Sequence, residues 1–231
     1  MEEWHDMEVY NPTARHLQRL IGQALAGVAQ FDSLLDVGCG AGINLKAIRA
    51  QFPRAKLFGT DLSPNIAHLA RQFVGEDSNV AFDVLDIAKD RLPRQFDVVL
   101  CNQVLEHVED DRAAVQNLAA MCERHMVITV PAGRYNSTSR IVGHYRHYSR
   151  DSLVRLVRHT DFRITSVRAW GFPIHSVYKA VLGALPASMQ KRVGFGKYGT
   201  GKRLLSNAIY LAYFANQIDA GANLVLVAER P

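Results

Sequence analysis

Three acidic residues stand at the ends of successive apolar runs: Asp36 in "LLDVGCGAG", Asp61 in "LFGTDL" and Asp86 in "FDVLDI". The first run passes through glycines at Gly38, Gly40 and Gly42 into helix-forming sequence. A strand that ends in such a turn and opens a helix aims backbone N–H groups and the positive helix end at a ligand, as in dinucleotide and phosphate sites. The phosphate loop GxxxxGK[ST] is absent. The dinucleotide pattern G-x-G-x-x-G is one residue longer than Gly38-Cys39-Gly40-Ala41-Gly42, which keeps a nicotinamide cofactor as the alternative. Asp36 would repel a pyrophosphate but can accept hydrogen bonds from an ammonium group. Asp61 follows at about the 20-residue distance where a carboxylate accepts from ribose hydroxyls. Asp86 could accept from an adenine amino group. An amino-acid end, a ribose and an adenine together describe S-adenosyl-L-methionine.

If such a cofactor gave up its methyl group, transfer from the sulfonium would be an in-line displacement, and the protein would have to hold an acceptor about 3 Å from the methyl group and exclude water. It requires no metal and no covalent nucleophile. An oxygen or nitrogen acceptor can still need a base, and the residues that could serve are His107 in "LEHV" and His144, His147 and Tyr148 in "GHYRHYS". Each has a structural role open to it as well: a helix histidine often only hydrogen-bonds, and the "GHYRHY" loop could simply be ordered by these side chains. Cys39, Cys101 and Cys122 are scattered without metal-ligand spacing, and Cys39 reads as a small filler inside its turn.

At 231 residues and 48% apolar content the chain fits one domain with a full core. The acidic start "MEEWHDMEVY" has no basic region leading into an apolar one, and no apolar run approaches about 18 residues, so the expected location is the cytoplasm. Residues 134–221 carry 14 Lys/Arg against Asp151, Asp161 and Asp219, within a net charge of +5. Such a split suits an anionic substrate, a nucleic acid or a membrane surface, or is merely a solvated basic face.

The elements that must position these residues alternate regularly. Apolar strands ("SLLDVG", "AKLFGTD", "VAFDVLD", "FDVVLCN", "HMVITVP", "FRITSVRAW", "ANLVLVAE") are interleaved with helical stretches, which implies an α/β fold with a mostly parallel sheet covered on both faces. Gly171 to Gly221 interrupts the rhythm and reads as an insertion with two apolar helices, one carrying Ile174, Val177, Tyr178 and Val181, the other residues 203 to 218. As a cap over an acceptor it would wall a pocket with Phe172, Tyr178, Tyr210, Tyr213 and Phe214, while Arg134, Arg140 and Arg146 receive a charge. A dimer interface or a membrane-surface helix pair fits the same composition.

The segments "LLDVGCGAG", "GTDLS", "VLDI", "FDVVLCNQVLEHV" and "VITVPA", within residues 33–131, resemble the class I S-adenosylmethionine-dependent methyltransferases, in particular the small-molecule group similar to ubiquinone- and menaquinone-biosynthesis methyltransferases. The resemblance implies a Rossmann-like seven-stranded sheet in the order 3-2-1-4-5-7-6 with strand 7 antiparallel. It places Asp36, Gly38, Cys39, Gly40 and Gly42 at the methionine end, Asp61 and Leu62 at ribose and adenine, Asp86 and Ile87 at the adenine edge, and Asn102 with Gln103 on the sulfonium side. It also implies an N-terminal lid with Tyr10 near the cofactor, so that the expected division is a helical lid over residues 1–30, a core over 33–170 and 221–231, and, from the composition of the insertion, a helical cap over 171–220. The base-modifying motif (D/N)-P-P-(Y/F) is absent at "CNQV", and Pro131 is followed by Ala132 where a pyrimidine C5 enzyme needs a cysteine. Both absences favour a small-molecule acceptor over nucleic acid, with a non-catalytic cofactor-binding module and an RNA methyltransferase as the competing readings.

Overall fold

The computed structural model describes residues 6, 9–28, 30–75, 77–135, 137–194 and 197–231. Strands β1 (Ser33–Val37), β4 (Phe96–Asn102) and β5 (Cys122–Pro131) are buried over most of their length and occupy the middle of the sheet, because only there are both faces removed from water. β2 (Lys56–Asp61) and β3 (Val80–Val84) extend one side, and β7 (Ile218–Glu229) and β6 (Arg163–Phe172) the other. The order is β3-β2-β1-β4-β5-β7-β6, with β7 antiparallel to both neighbours, as the resemblance implied.

Alternate strand residues feed two separate cores. Leu34, Val98, Leu100 and Val127 meet Ile21 and Leu25 of helix α1 (Pro12–Ala26), Leu45 and Ile48 of α2 (Ile43–Gln51) and Ala70 of α3 (Pro64–Val74). Leu35, Val99, Ile128 and Leu226 meet Val115 and Leu118 of α4 (Asp111–Met121) and Leu153 and Val157 of the helix Arg150–Val157. Helix α1 is opened by Asn11, whose side chain accepts from the N–H groups of Thr13 and Ala14, with Pro12 at its first position. Its buried Leu17, Ile21 and Leu25 make it a core element, so any lid is confined to residues before Pro12, most of which lie outside the described residues. Tyr10 is tied to the insertion: its ring stacks on Tyr198, and its carbonyl accepts from the Ser206 hydroxyl.

Between β6 and β7 the described residues form three α-helices and a 3₁₀ turn (Tyr213–Ala215) where two helices were expected. After the short α5 (Ser137–Ile141) and α6 (Arg150–Val157) these are α7 (Ile174–Ala184), α8 (Ala187–Gly194) and α9 (Thr200–Ala212). Ile218, expected at the end of the second apolar helix, begins β7 and pairs with Phe172. The insertion is fastened by an aromatic joint in which Trp170 stacks on His16 and on His175, and Tyr213 meets all three edge-on. Tyr213 is fully buried there, so it belongs to this joint and not to a pocket wall. Among the described residues no helix is long and apolar enough to cross a membrane.

Gly59 in β2 shows how tightly the sheet lies under the glycine turn. A Cβ there would come within 2.7 Å of Leu45, 2.8 Å of Phe82 and 2.9 Å of the Cys39 sulfur. Gly59→Ala should therefore cost about 2 kcal/mol by overpacking. Denaturant unfolding would show it as a lower midpoint at unchanged slope, and an unchanged midpoint would disprove the constraint.

Candidate active site at the strand ends

The carboxyl ends of β1, β2, β4 and β5 meet where the strand order reverses direction, the place at which open α/β sheets bind ligands. Gly38 (φ 70°), Gly40 (φ 52°) and Gly42 (φ 81°) all have left-handed backbones. At Gly38 there is also no room, since a Cβ would lie 2.3 Å from the Val104 side chain. The N–H groups of Gly38 and Cys39 donate to the Thr60 carbonyl at 2.7 and 2.9 Å, which ties the turn to the end of β2. The Gly40 N–H donates to Asp61 Oδ2 at 3.2 Å and the Ser63 N–H to Asp61 Oδ1 at 3.0 Å. Each carboxylate oxygen of Asp61 thus takes one backbone donor and retains lone pairs for a ligand's hydroxyl groups. The neighbouring Leu62 is 66% exposed, an apolar surface a flat ring could cover.

The remaining expected cofactor residues fall around this turn in different ways. Asp36 is fully buried beneath the turn, and Cys39 is buried in it, where its sulfur fills space against β2. Asp86 is half-buried and paired with Lys89 at 2.8 Å, a contact that together with the Ala88 N–H holds its carboxyl below the ordinary range. Ile87 is buried in the core, and its carbonyl accepts from the Asn117 side chain. Asn102 and Gln103 are linked through Thr129, whose hydroxyl donates to Asn102 Oδ1 at 2.6 Å and accepts from Gln103 Nε2 at 3.2 Å. Gln103 has φ 56°, an uncommon left-handed backbone for a side chain of that kind and of the sort found at functional sites. Sequence reading missed Thr129; its signal was a polar residue inside the apolar "VITVP".

Next to the end of β4, Glu106, His107 and His144 each bring a ligand-capable atom within 4.8 Å of the others. The His107 and His144 rings meet edge-on at 4.7 Å, and His144 Nδ1 lies 3.1 Å from His147 Nε2, which also contacts the Ser139 hydroxyl at 3.0 Å. Glu106, not anticipated as a site residue although it precedes His107, is 0% exposed, and neither of its carboxyl oxygens has a hydrogen-bond partner. Burial pushes that carboxyl up to about 8, while burial and the neighbouring imidazoles lower His144 to about 4. The cluster is therefore neutral near pH 7. Lys179 of α7 reaches the same spot, since its charge bears on Glu106, His144 and His147. Three such donors could in geometry surround a metal ion, but an ammonium beside them opposes a divalent cation.

Two expected residues are engaged elsewhere. The Tyr148 hydroxyl donates to Asp111 Oδ2 at 2.8 Å and its phenol is raised, first by burial, so it tethers the loop to α4 and is not free to act as a base. Arg146, expected to receive an acceptor's charge, is paired with the same Asp111 at 2.8 Å and donates to the Glu109 carbonyl. Arg134 and Arg140 are exposed. A groove of about 970 Å³ lies away from all of these, between α1 and the β6–β7 pair, and is lined by Arg19, Trp170, Phe214 and Val225.

Comparisons with known proteins show the family and agree with the fold. The family model described as "Methyltransferase domain" matches residues 4–167. A malonyl-[acyl-carrier protein] O-methyltransferase from Acetivibrio thermocellus is 31% identical over 107 residues, 44% of this chain and 38% of that protein. A ubiquinone biosynthesis O-methyltransferase from Bordetella parapertussis is 34% identical over 105 residues, 44% of this chain and 42% of that protein. The chain spans about two fifths of the length of such curated relatives. The N-methyltransferase NodS from Bradyrhizobium japonicum, solved with S-adenosyl-L-homocysteine, shares the fold with a TM-score of 0.61 at 16% identity, covering 99% of this chain and 98% of its own.

Two predictions come from this site. Asp61→Ala should weaken S-adenosylmethionine binding by about tenfold or more at an unchanged melting temperature, because it removes a prepositioned acceptor. Titration calorimetry that returned wild-type affinity would break the assignment of Asp61. The second concerns Glu106, which is protonated in the fold up to about pH 8 but ionises near 4.5 when unfolded. A folded value above the unfolded one stabilises fully below 4.5 and loses that contribution as pH rises through 8. The wild-type melting temperature should therefore fall relative to Glu106→Gln from pH 5 to about pH 8 and then run level with it. Parallel profiles across that window would show that Glu106 is not buried as its acid.

Proposed function

The chain belongs to the methyltransferase-domain family and its cofactor is S-adenosyl-L-methionine, and on that premise we propose that it methylates an oxygen, nitrogen or carbon atom of a small, apolar or amphiphilic metabolite with an anionic end. The cofactor supplies an electrophilic methyl group on its sulfonium. The glycine turn would present N–H groups at the methionine end, Asp61 would accept from the ribose hydroxyls, Leu62 would cover the adenine, and Asn102 and Gln103 would border the sulfonium. These roles fit the residues present: a cradle that no side chain at Gly38 could share, and a carboxylate already oriented by two backbone donors.

The observation that carries the acceptor's class is Lys179. It is half-buried on α7 and, among the described residues, has no ion pair or hydrogen bond, while the histidine cluster beneath it is neutral near pH 7. A cation withdrawn from water without a counter-charge is costly, and an anionic group on the acceptor would supply one. With that group on Lys179, the reacting atom would lie towards His107 and His144. His144 Nδ1 is engaged with His147, which leaves Nε2 to accept a proton from an O–H or N–H acceptor. Its depressed basicity makes it a modest base, active from about pH 4 upward and not only above the usual imidazole range. The malonyl-[acyl-carrier protein] and juvenile hormone acid O-methyltransferases among the relatives are named for acidic acceptors, in keeping with this reading.

The test measures S-adenosylhomocysteine release with an aliphatic carboxylic acid, a catechol and an amine as acceptors, and with ribosomal RNA. Turnover on an anionic amphiphile is expected. Lys179→Met should raise KM for it about tenfold with kcat nearly unchanged, because the contact is made equally in ground and transition states. Release with RNA alone would establish the RNA reading, and cofactor binding without release on any acceptor would leave a binding module.

A further inference from the structure

Helices α7 and α9 are built inside out. On α7 the residues facing the joint include His175, Tyr178 and Lys179, whereas Val177 (61% exposed), Ala180, Val181 (59%) and Ala184 form an i, i+3, i+4, i+7 stripe towards solvent. On α9 the buried residue is Ser206, held to the Tyr10 carbonyl, and the outward stripe is Leu204 (67%), Leu205 (60%), Ala208, Leu211 (68%) and Ala212. Surface helices in a free globular protein show the opposite arrangement, and large apolar side chains aligned on the outer faces of two helices of one insertion mark a covered surface. Between Pro173 and Gln217 the chain also carries six Lys/Arg and not one Asp or Glu.

We propose that this insertion docks on an anionic lipid bilayer, with the outward stripes of α7 and α9 seated among the acyl chains and exposed basic residues of the segment, Lys197 and Arg203 among them, at the headgroups. Charge decides against a second copy of the chain as the occupant. A two-fold interface lays the same patch on itself, which would oppose two acid-free basic segments, whereas a phospholipid surface of negative charge complements them. Neither helix needs to span anything; a helix with an apolar face and basic flanks lies in the interfacial plane with its apolar side buried to about 5–10 Å. Docking in this way would bring α7, whose inner face carries Lys179, next to the membrane, where an amphiphilic acceptor resides. The inference stands without the acceptor assignment, because vesicle binding is read without turnover.

Flotation with vesicles of phosphatidylcholine doped with phosphatidylglycerol, compared with phosphatidylcholine alone, tests it on the full chain. The wild type should float with the doped vesicles only and release them at high salt. Combined Leu204→Ser, Leu205→Ser and Leu211→Ser should reduce the partition coefficient by about tenfold or more, with cofactor affinity and melting temperature retained, since these side chains touch solvent and not the joint. Four results would each overturn the proposal: no flotation of the wild type, equal flotation with phosphatidylcholine alone, undiminished flotation of the variant, or light scattering that finds a dimer which the substitutions dissociate.

Discussion

Everything at the strand ends depends on one close approach, that of the Gly38 backbone to Val104. β1 and β4 are hydrogen-bonded neighbours, and the chain leaves both at the same edge, so the two loops that follow must share the same space. A residue without a side chain on one loop and a branched one on the other resolve that crowding. The consequence reaches in two directions. On one side the turn is pressed against β2, where the Thr60 carbonyl takes two of its N–H groups and Asp61 receives a third. On the other, Val104 precedes the short helical turn Leu105–His107, so the same contact places Glu106 and His107 relative to the glycines. The two halves of the site are therefore braced against each other by van der Waals contact and not through a ligand.

Much of this could be read in the sequence because the sheet is built from short-range patterns. The apolar strands, their alternation with helices and the acids at their ends are local properties, and so the placement of Asp61 and the three glycines at the strand ends was legible. What the sequence hid was pairing between distant residues. The ion pair of Asp86 with Lys89 was not announced, Tyr148 and Arg146 looked available until both were found on Asp111, and Tyr213 read as a pocket wall until the aromatic joint enclosed it. Glu106 and Lys179 went unnoticed for the complementary reason: nothing in the local pattern of either tells that a carboxyl will be sealed from water or that a cation 73 positions later will come to lie beside it.

The insertion was visible as an excess of length, but its polarity was not, because periodicity locates an apolar stripe without saying which way it faces. Here the outward direction is imposed by the joint. Tyr213, Trp170 and the two buried imidazoles of His16 and His175 occupy the inner face with side chains that combine a large apolar area and a polar atom, leaving the aliphatic side chains of α7 and α9 for the outside. Burial keeps both imidazoles neutral by lowering their proton affinity, and a change that let them charge would loosen the whole insertion from the sheet.

The pairing of Phe172 with Ile218 has a consequence for how such a chain can diversify. Departure and return of the insertion are opposite partners on one rung of an antiparallel ladder, so from the sheet's side the helices between them amount to a long hairpin loop. Lengthening such a loop adds only slowly to the entropy of closing it, about 0.6 kcal/mol per doubling. The ladder itself would register no difference if the helices were exchanged for others of different length and chemistry. The helices can then change on one side of those two residues while the glycine turn, on strands β1 and β2 that do not pair with β6 or β7, keeps its shape.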